Sequence, residues 1–189
     1  LSEFRLSKMP KGKSLNLLFV GRYQQRKKIE RLFQIAAELE YVQIRLVGPG
    51  MKNIKLPENL NITNRVEIFN GVRGEGLNQH FDWAHIVVNP GHLGLLVLNA
   101  ARHNKAIVFD KRSDHAPEVE VAYNSHQPYI DFSNLREAKS FFNSLLGNTQ
   151  ALSSWANDLQ LYAKKEYTIE HMVETHMNVF NIVSSGVKK

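Results

Sequence analysis

Short, nearly continuous apolar runs recur along the chain at Leu15–Val20, Val42–Val47, Val66–Phe69, Ile86–Asn89, Ala106–Phe109 and Tyr129–Asp131. They lack the polar alternation of a strand with one wet face, so each predicts a strand covered on both faces, as in a parallel sheet. Between and after them, apolar residues fall at helical spacing: Ile29, Leu32, Phe33 and Ala36; Leu77, Phe81 and Ala84; Leu135, Ala138, Phe142, Leu145 and Leu146. Alternating strand and helix predict an α/β fold, a Rossmann-like doubly wound parallel sheet of about six strands with right-handed crossovers. Two further stripes close the chain as C-terminal helices. Leu152, Trp155, Ala156, Leu159 and Ala163 predict a core helix. Ile169, Met172, Val173, His176, Phe180 and Val183 leave open whether that helix packs under the sheet or reaches toward another part of a longer polypeptide.

Length and composition add bounds. A chain of 189 residues with 43% hydrophobic content can bury one core, and no apolar run is long enough to cross a bilayer. Leu1 is not an initiator, so the polypeptide is expected to continue on its N-terminal side. The polar, basic stretch 1–13 reads as a linker and 14–189 as the domain. Zero cysteines remove disulfides, thiolate metal sites and cysteine nucleophiles. His171 and His176 are not at the spacing that puts two ligands on one helical face, so no metal site is expected. A net charge of +6 favours anionic partners without choosing among nucleotides, nucleic acid and acidic lipid.

Three stretches are candidates for chemistry. Gly21-Arg22 follows the first strand and Lys27 opens the next helix, an arrangement that suits a diphosphate; a solvated basic patch with Arg26, Lys28 and Arg31 is the alternative. Val87 to Ala101 runs from a strand through Pro90-Gly91-His92-Leu93-Gly94 into a small-residue helix. Its first amides, on Gly94, Leu95 and Leu96, are placed to bind phosphate oxygens, and Asn99 is placed to meet a ribose hydroxyl. The alternative there is an ordinary tight turn before a core helix. The charged stretch Asp110 to Glu118, at a strand's carboxyl end, is open between a functional and a solvated loop. The long connection from Gly48 to Asn64 reads as a surface loop at the same edge.

The order of these features resembles the C-terminal domain of family-four retaining glycosyltransferases. The residues that carry the resemblance are Phe19-Val20-Gly21-Arg22, Lys27, Arg45 to Gly50, Val66 to Gly71, Trp83 to Pro90, the Gly94-Leu95 turn, Lys105 to Val108 and Ala116-Pro117-Glu118-Val119. The resemblance covers roughly Leu15 to Leu146. It implies one half of a GT-B fold of two Rossmann-like domains, with Arg22, Lys27 and the backbone of Gly94, Leu95 and Leu96 on the donor's diphosphate. Asn99, Gly91 and His92 would lie at the ribose or the sugar. The family pattern places glutamates where this chain has Gly91 and Asn99, and neither carboxylate is present.

The resemblance further implies sugar transfer with retention from a nucleotide-sugar donor such as a UDP- or GDP-sugar, without obligatory metal or other cofactor. The acceptor and the catalytic residues that handle its proton are expected on a missing N-terminal domain. By analogy the setting is bacterial surface polysaccharide synthesis, cytoplasmic at the inner face of a membrane, with peripheral membrane contact. The missing glutamates motivate a different expectation, a non-catalytic nucleotide-binding or scaffold module. Nucleic-acid binding is disfavoured because no aromatic platform interleaves the basic residues. A nicotinamide dehydrogenase is disfavoured because the dinucleotide fingerprint is missing after the first strand.

Overall fold

The computed structural model describes residues 4, 5, 10, 12–167, 173 and 177. Its strands are β1 (Leu15–Val20), β2 (Val42–Val47), β3 (Val66–Phe69), β4 (Ile86–Asn89), β5 (Ile107–Asp110) and β6 (Tyr129–Ile130). All pair in parallel, in the order β3-β2-β1-β4-β5-β6. The fifth and sixth strands end one residue away from the positions that the apolar runs predict. The expected doubly wound α/β sheet is thus observed.

β1 lies between β2 and β4, and its residues Leu15 to Phe19 are all buried. Asn16 is tolerated there because its side chain donates to the Trp83 carbonyl at 2.8 Å and accepts from the Ser14 hydroxyl at 3.1 Å. From β1 the chain steps outward to β2 and β3, returns to β4, and steps outward the other way. The loops after β1 and β4 therefore diverge at one point of the carboxyl edge, the topological switch point where open α/β sheets bind ligands.

The helices are α1 (Glu30–Glu38), α2 (Glu75–Trp83), α3 (Leu96–Arg102), α4 (Val119–Asn124), α5 (Leu135–Leu145) and α6 (Thr149–Glu166). The core on one face contains residues of α1 and α5, and the core on the other contains residues of α2, α3 and α4. α4 has a single turn and a half, too short to show a period, and the apolar pattern does not reveal it. Asn134 and Asn148 cap α5 and α6 by accepting from the amides of Glu137 and Ala151 at 3.2 and 3.1 Å. α6 carries Leu152 and Ala156 into the first core and Leu159 and Ala163 into the second. Gln160 of α6 donates to Ala101 near the end of α3, so the helix crosses the sheet's amino edge and leaves the carboxyl edge open. The second tail stripe falls outside the described residues except at Val173, which is exposed. No helix among the described residues is long and apolar enough to cross a membrane.

Phe4, Arg5 and Pro10 touch the domain at the same amino edge. Phe4 packs on the second core, Arg5 donates its amide to Arg102 at 2.8 Å, and His85 Nε2 donates to the Pro10 carbonyl at 3.1 Å. Lys105 lies nearby with no exposed surface and donates to the Ala84 carbonyl at 2.7 Å.

Burial pushes the Lys105 pKa down to about 8 from 10.5, partly opposed by Asp82. Between these values the unfolded chain binds more protons than the folded one, so this group's contribution to stability rises with pH there. Below about pH 8 the cost of the buried charge is felt in full. In urea unfolding, wild type should therefore gain on Lys105→Met as pH is raised from 8 toward 10. A stability difference constant with pH would contradict this reading.

Candidate functional site

Three loops meet at the switch point. The first follows β1. Its Gly21 amide donates to Val47 at 2.9 Å and its Tyr23 amide to Pro49 at 3.0 Å, which ties it to the end of β2. Gly48 has φ +146°, and a Cβ there would lie 2.0 Å from the Gly21 carbonyl oxygen, so only glycine lets the two turns touch. Arg22 stands at this tip, exposed and with no protein partner among the described residues. A single 3-10 turn over Gln25–Lys27 follows and ends at Lys28 in the left-handed region, φ +49°.

The second loop follows β4 and is fastened to that 3-10 turn. The His92 amide donates to the Arg26 carbonyl at 2.9 Å, Lys27 Nζ donates to the His92 carbonyl at 2.6 Å, and Arg31 donates to the Pro90 carbonyl at 2.9 Å. Between these bonds Gly91 lies against bare backbone: a Cβ would sit 2.4 Å from the Arg26 oxygen and 2.6 Å from the Lys27 carbonyl carbon. No side chain fits at this position.

The third loop follows β5. It supplies the Asp114 carbonyl to His92 Nδ1 at 2.8 Å, His115 Nδ1 to the Leu93 amide at 3.1 Å, and the Ala116 amide to the Leu93 carbonyl at 2.9 Å. A carbonyl can only accept, so His92 carries its proton on Nδ1 and Nε2 accepts from Arg26 Nη1 at 3.3 Å. Burial lowers the pKa of His115 in the same way that it lowers that of Lys105, and keeps its Nδ1 an acceptor for the turn.

Asp110, fully buried at the start of this loop, is a structural hub rather than a ligand contact. It pairs with Arg31 at 2.9 Å and accepts from the Phe132 amide at 3.1 Å and from the Ser113 hydroxyl. Lys28 in turn donates to Ser113 at 3.0 Å. Asp110 and Ser113 of the stretch Asp110 to Glu118 thus serve as internal scaffolding, while Lys111, Arg112 and Asp114 are exposed, as the solvated-loop reading expects.

Of the residues singled out in the sequence, Lys27, Gly91 and His92 are brought into contact, and Gly94, Leu95 and Leu96 continue the same turn. The amides of these last three have no protein acceptor among the described residues, and the Leu95 side chain is 64% exposed. Asn99 lies one turn along α3, half-buried, with no hydrogen bond from its side chain among the described residues. Among the described residues no hydrogen bond or ion pair joins Arg22 to the turn. Burial, and then the neighbouring Arg26, lower the pKa of Lys27, and its ammonium faces a neutral carbonyl rather than a carboxylate. Arg26 belongs to the site through His92, a partnership invisible in sequence because the two are far apart in the chain.

Both the sequence and the fold have known counterparts. A family profile described as glycosyl transferases group 1 matches residues 14–125, more than half of the chain. The chain belongs to this family. Its sheet and helices are also similar to those of solved glycosyltransferase structures. Sucrose-phosphate synthase from Thermosynechococcus elongatus is 15% identical with a TM-score of 0.73, over 92% of this chain and 46% of that one. HepE of Anabaena, solved with UDP and glucose, is 16% identical with a TM-score of 0.70, over 92% and 49%. WaaG, a glycosyltransferase involved in lipopolysaccharide biosynthesis, is 20% identical with a TM-score of 0.64, over 82% and 44%. The chain thus spans about half the length of these glycosyltransferases or less. No curated protein matches the sequence.

The close contact at Gly91 has a testable consequence. Gly91→Glu, which supplies the carboxylate of the family pattern, should force the 3-10 turn off the second loop, lower stability by about 1–3 kcal/mol and weaken any ligand that Lys27 holds. Unchanged thermal unfolding in Gly91→Glu would show that the contact is looser than the geometry requires.

Proposed function

We propose that the chain is the donor-binding half of a retaining glycosyltransferase that takes its sugar from a nucleotide sugar, a UDP- or GDP-sugar being the expected type. The observation that carries this reading is Lys27, partly desolvated, with no carboxylate partner among the described residues, and fastened to a turn in which the amides of Gly94, Leu95 and Leu96 have no protein acceptor among those residues. A diphosphate supplies what each of these groups lacks, a negative charge for the ammonium and acceptor oxygens for the amides. HepE, of similar fold, is solved with UDP and glucose.

In this reading Arg22 swings from its exposed tip onto the diphosphate, and Lys27 and the amides of Gly94, Leu95 and Leu96 hold it. Negative charge builds on the diphosphate as the glycosidic bond breaks, and fixed cations and amides stabilise that charge without reorganising. Asn99 meets the ribose. The acceptor and the group that takes its proton belong to the absent half, which closes over this edge. Surface polysaccharide synthesis at the cytoplasmic face of a membrane, with peripheral contact, is the proposed setting; WaaG acts in lipopolysaccharide biosynthesis.

A second reading has a specific observation behind it. Gly91 leaves no room for a carboxylate and Asn99 offers only an amide, so a nucleotide-binding module without transfer activity fits the same turn. Titration calorimetry of this chain with UDP and GDP tests the part that both readings share. One of the two should bind saturably, and Arg22→Ala or Lys27→Ala should each weaken it by about 1.5–3 kcal/mol. Absence of binding at about millimolar nucleotide, a level that corresponds to roughly −4 kcal/mol, would contradict both.

A further inference from the structure

Four cations crowd the first loop, and their surroundings separate them by role. Arg31, the next cation along, is ion-paired with Asp110. Arg22, Arg26, Lys27 and Lys28 have no carboxylate within ion-pair distance among the described residues. A sugar-linked diphosphate brings one negative charge on each phosphate, which Arg22 and Lys27 match. Arg26 and Lys28 remain, and Lys28 is turned away to Ser113.

Arg26 is held in place, not loose. Its Nε donates to Gln24 Oε1 at 3.1 Å and its Nη1 to His92 Nε2 at 3.3 Å, and His92 is itself fixed by the Asp114 carbonyl. Both acceptors are neutral, so the guanidinium keeps its full charge with N–H groups to spare. Its effect is felt next door, where it helps lower the Lys27 pKa.

We infer that the donor's sugar carries a carboxylate, as in a nucleotide-linked hexuronic acid, and that Arg26, oriented by Gln24 and His92, recognises it. This rests on the nucleotide-sugar reading above. With Asn99 assigned to the ribose, the group on the other side of the diphosphate is the sugar. Arg26 adjoins Lys27 on the side of His92; Lys28 also reaches the loop after β5, but its ammonium is engaged there by the Ser113 hydroxyl. Arg26 is exposed; a neutral sugar would offer its fork only hydroxyls, whereas a carboxylate accepts two parallel N–H bonds from it.

The test is calorimetric binding to this chain of two matched pairs, UDP-glucose against UDP-glucuronate and GDP-mannose against GDP-mannuronate, beside UDP and GDP alone. On whichever base binds, the acidic sugar should bind at least about tenfold more tightly than its neutral partner at low ionic strength. Arg26→Gln should bring that ratio to about one, and Arg26→Lys, which keeps the charge but not the fork, should retain part of it. A wild-type ratio near one, or a preference that survives Arg26→Gln, overturns the inference while nucleotide binding still stands. If neither nucleotide nor conjugate binds, the nucleotide-sugar reading itself has failed and the inference falls with it.

Discussion

The site depends on one close approach, that of the Gly91 Cα to the backbone of Arg26 and Lys27. A Cβ there would stand 2.4 Å from a carbonyl oxygen, well inside van der Waals contact, so the chain must be glycine for the loops after β1 and β4 to meet. Once they meet, the His92 amide and Lys27 Nζ find carbonyl partners across the join, and a basic turn that would otherwise be solvated becomes part of a wall. The same contact excludes any side chain from position 91. The site must therefore work with cations and amides where the family pattern has a carboxylate.

The wall is braced from behind by a buried charge. Asp110 has no exposed surface, and it is tolerated because Arg31, the Phe132 amide and Ser113 satisfy both of its oxygens. A buried ion pair adds little net stability, but removing one partner leaves an uncompensated charge. Its role here is placement: Arg31 also reaches the Pro90 carbonyl, so the pair joins the loops after β1, β4 and β5. Arg22, Arg26, Lys27 and Lys28 have no carboxylate partner among the described residues, and this asymmetry favours an anion at that part of the carboxyl edge. The amino edge differs in kind, being covered by α6 and by Phe4, Arg5 and Pro10. Two open grooves of about 540 and 570 Å³ flank β6 instead, lined by residues such as Tyr129, Ile130, Phe141 and Trp155. Neither includes a residue of the three joined loops.

Much of the fold is legible in the sequence because parallel strands buried on both faces leave continuous apolar runs, and all six runs correspond to strands. α4 escapes because six residues, Val119–Asn124, are too few to display a helical period. At the site, Lys27 and the Gly94 turn are visible as local patterns, a cation at a helix start and glycines after a strand. Arg26 and Asp110 stand in charged stretches visible in the sequence, but they take their roles from partners far along the chain, His92 and Arg31, so nothing local reveals those roles. Gly91 looks like an ordinary turn glycine, and its real constraint is a backbone from another loop.

The most direct test is to follow backbone amide resonances of the chain while UDP or GDP is added. Binding at the joined loops predicts saturable shifts at Gly94, Leu95 and Leu96, with Lys27 and His92 moving together and the amino-edge residues around Arg5 and Gln160 unmoved. Shifts confined to the β6 grooves or to the amino edge, with the Gly94–Leu96 amides unchanged at saturation, would contradict the placement of the anion site at the switch point.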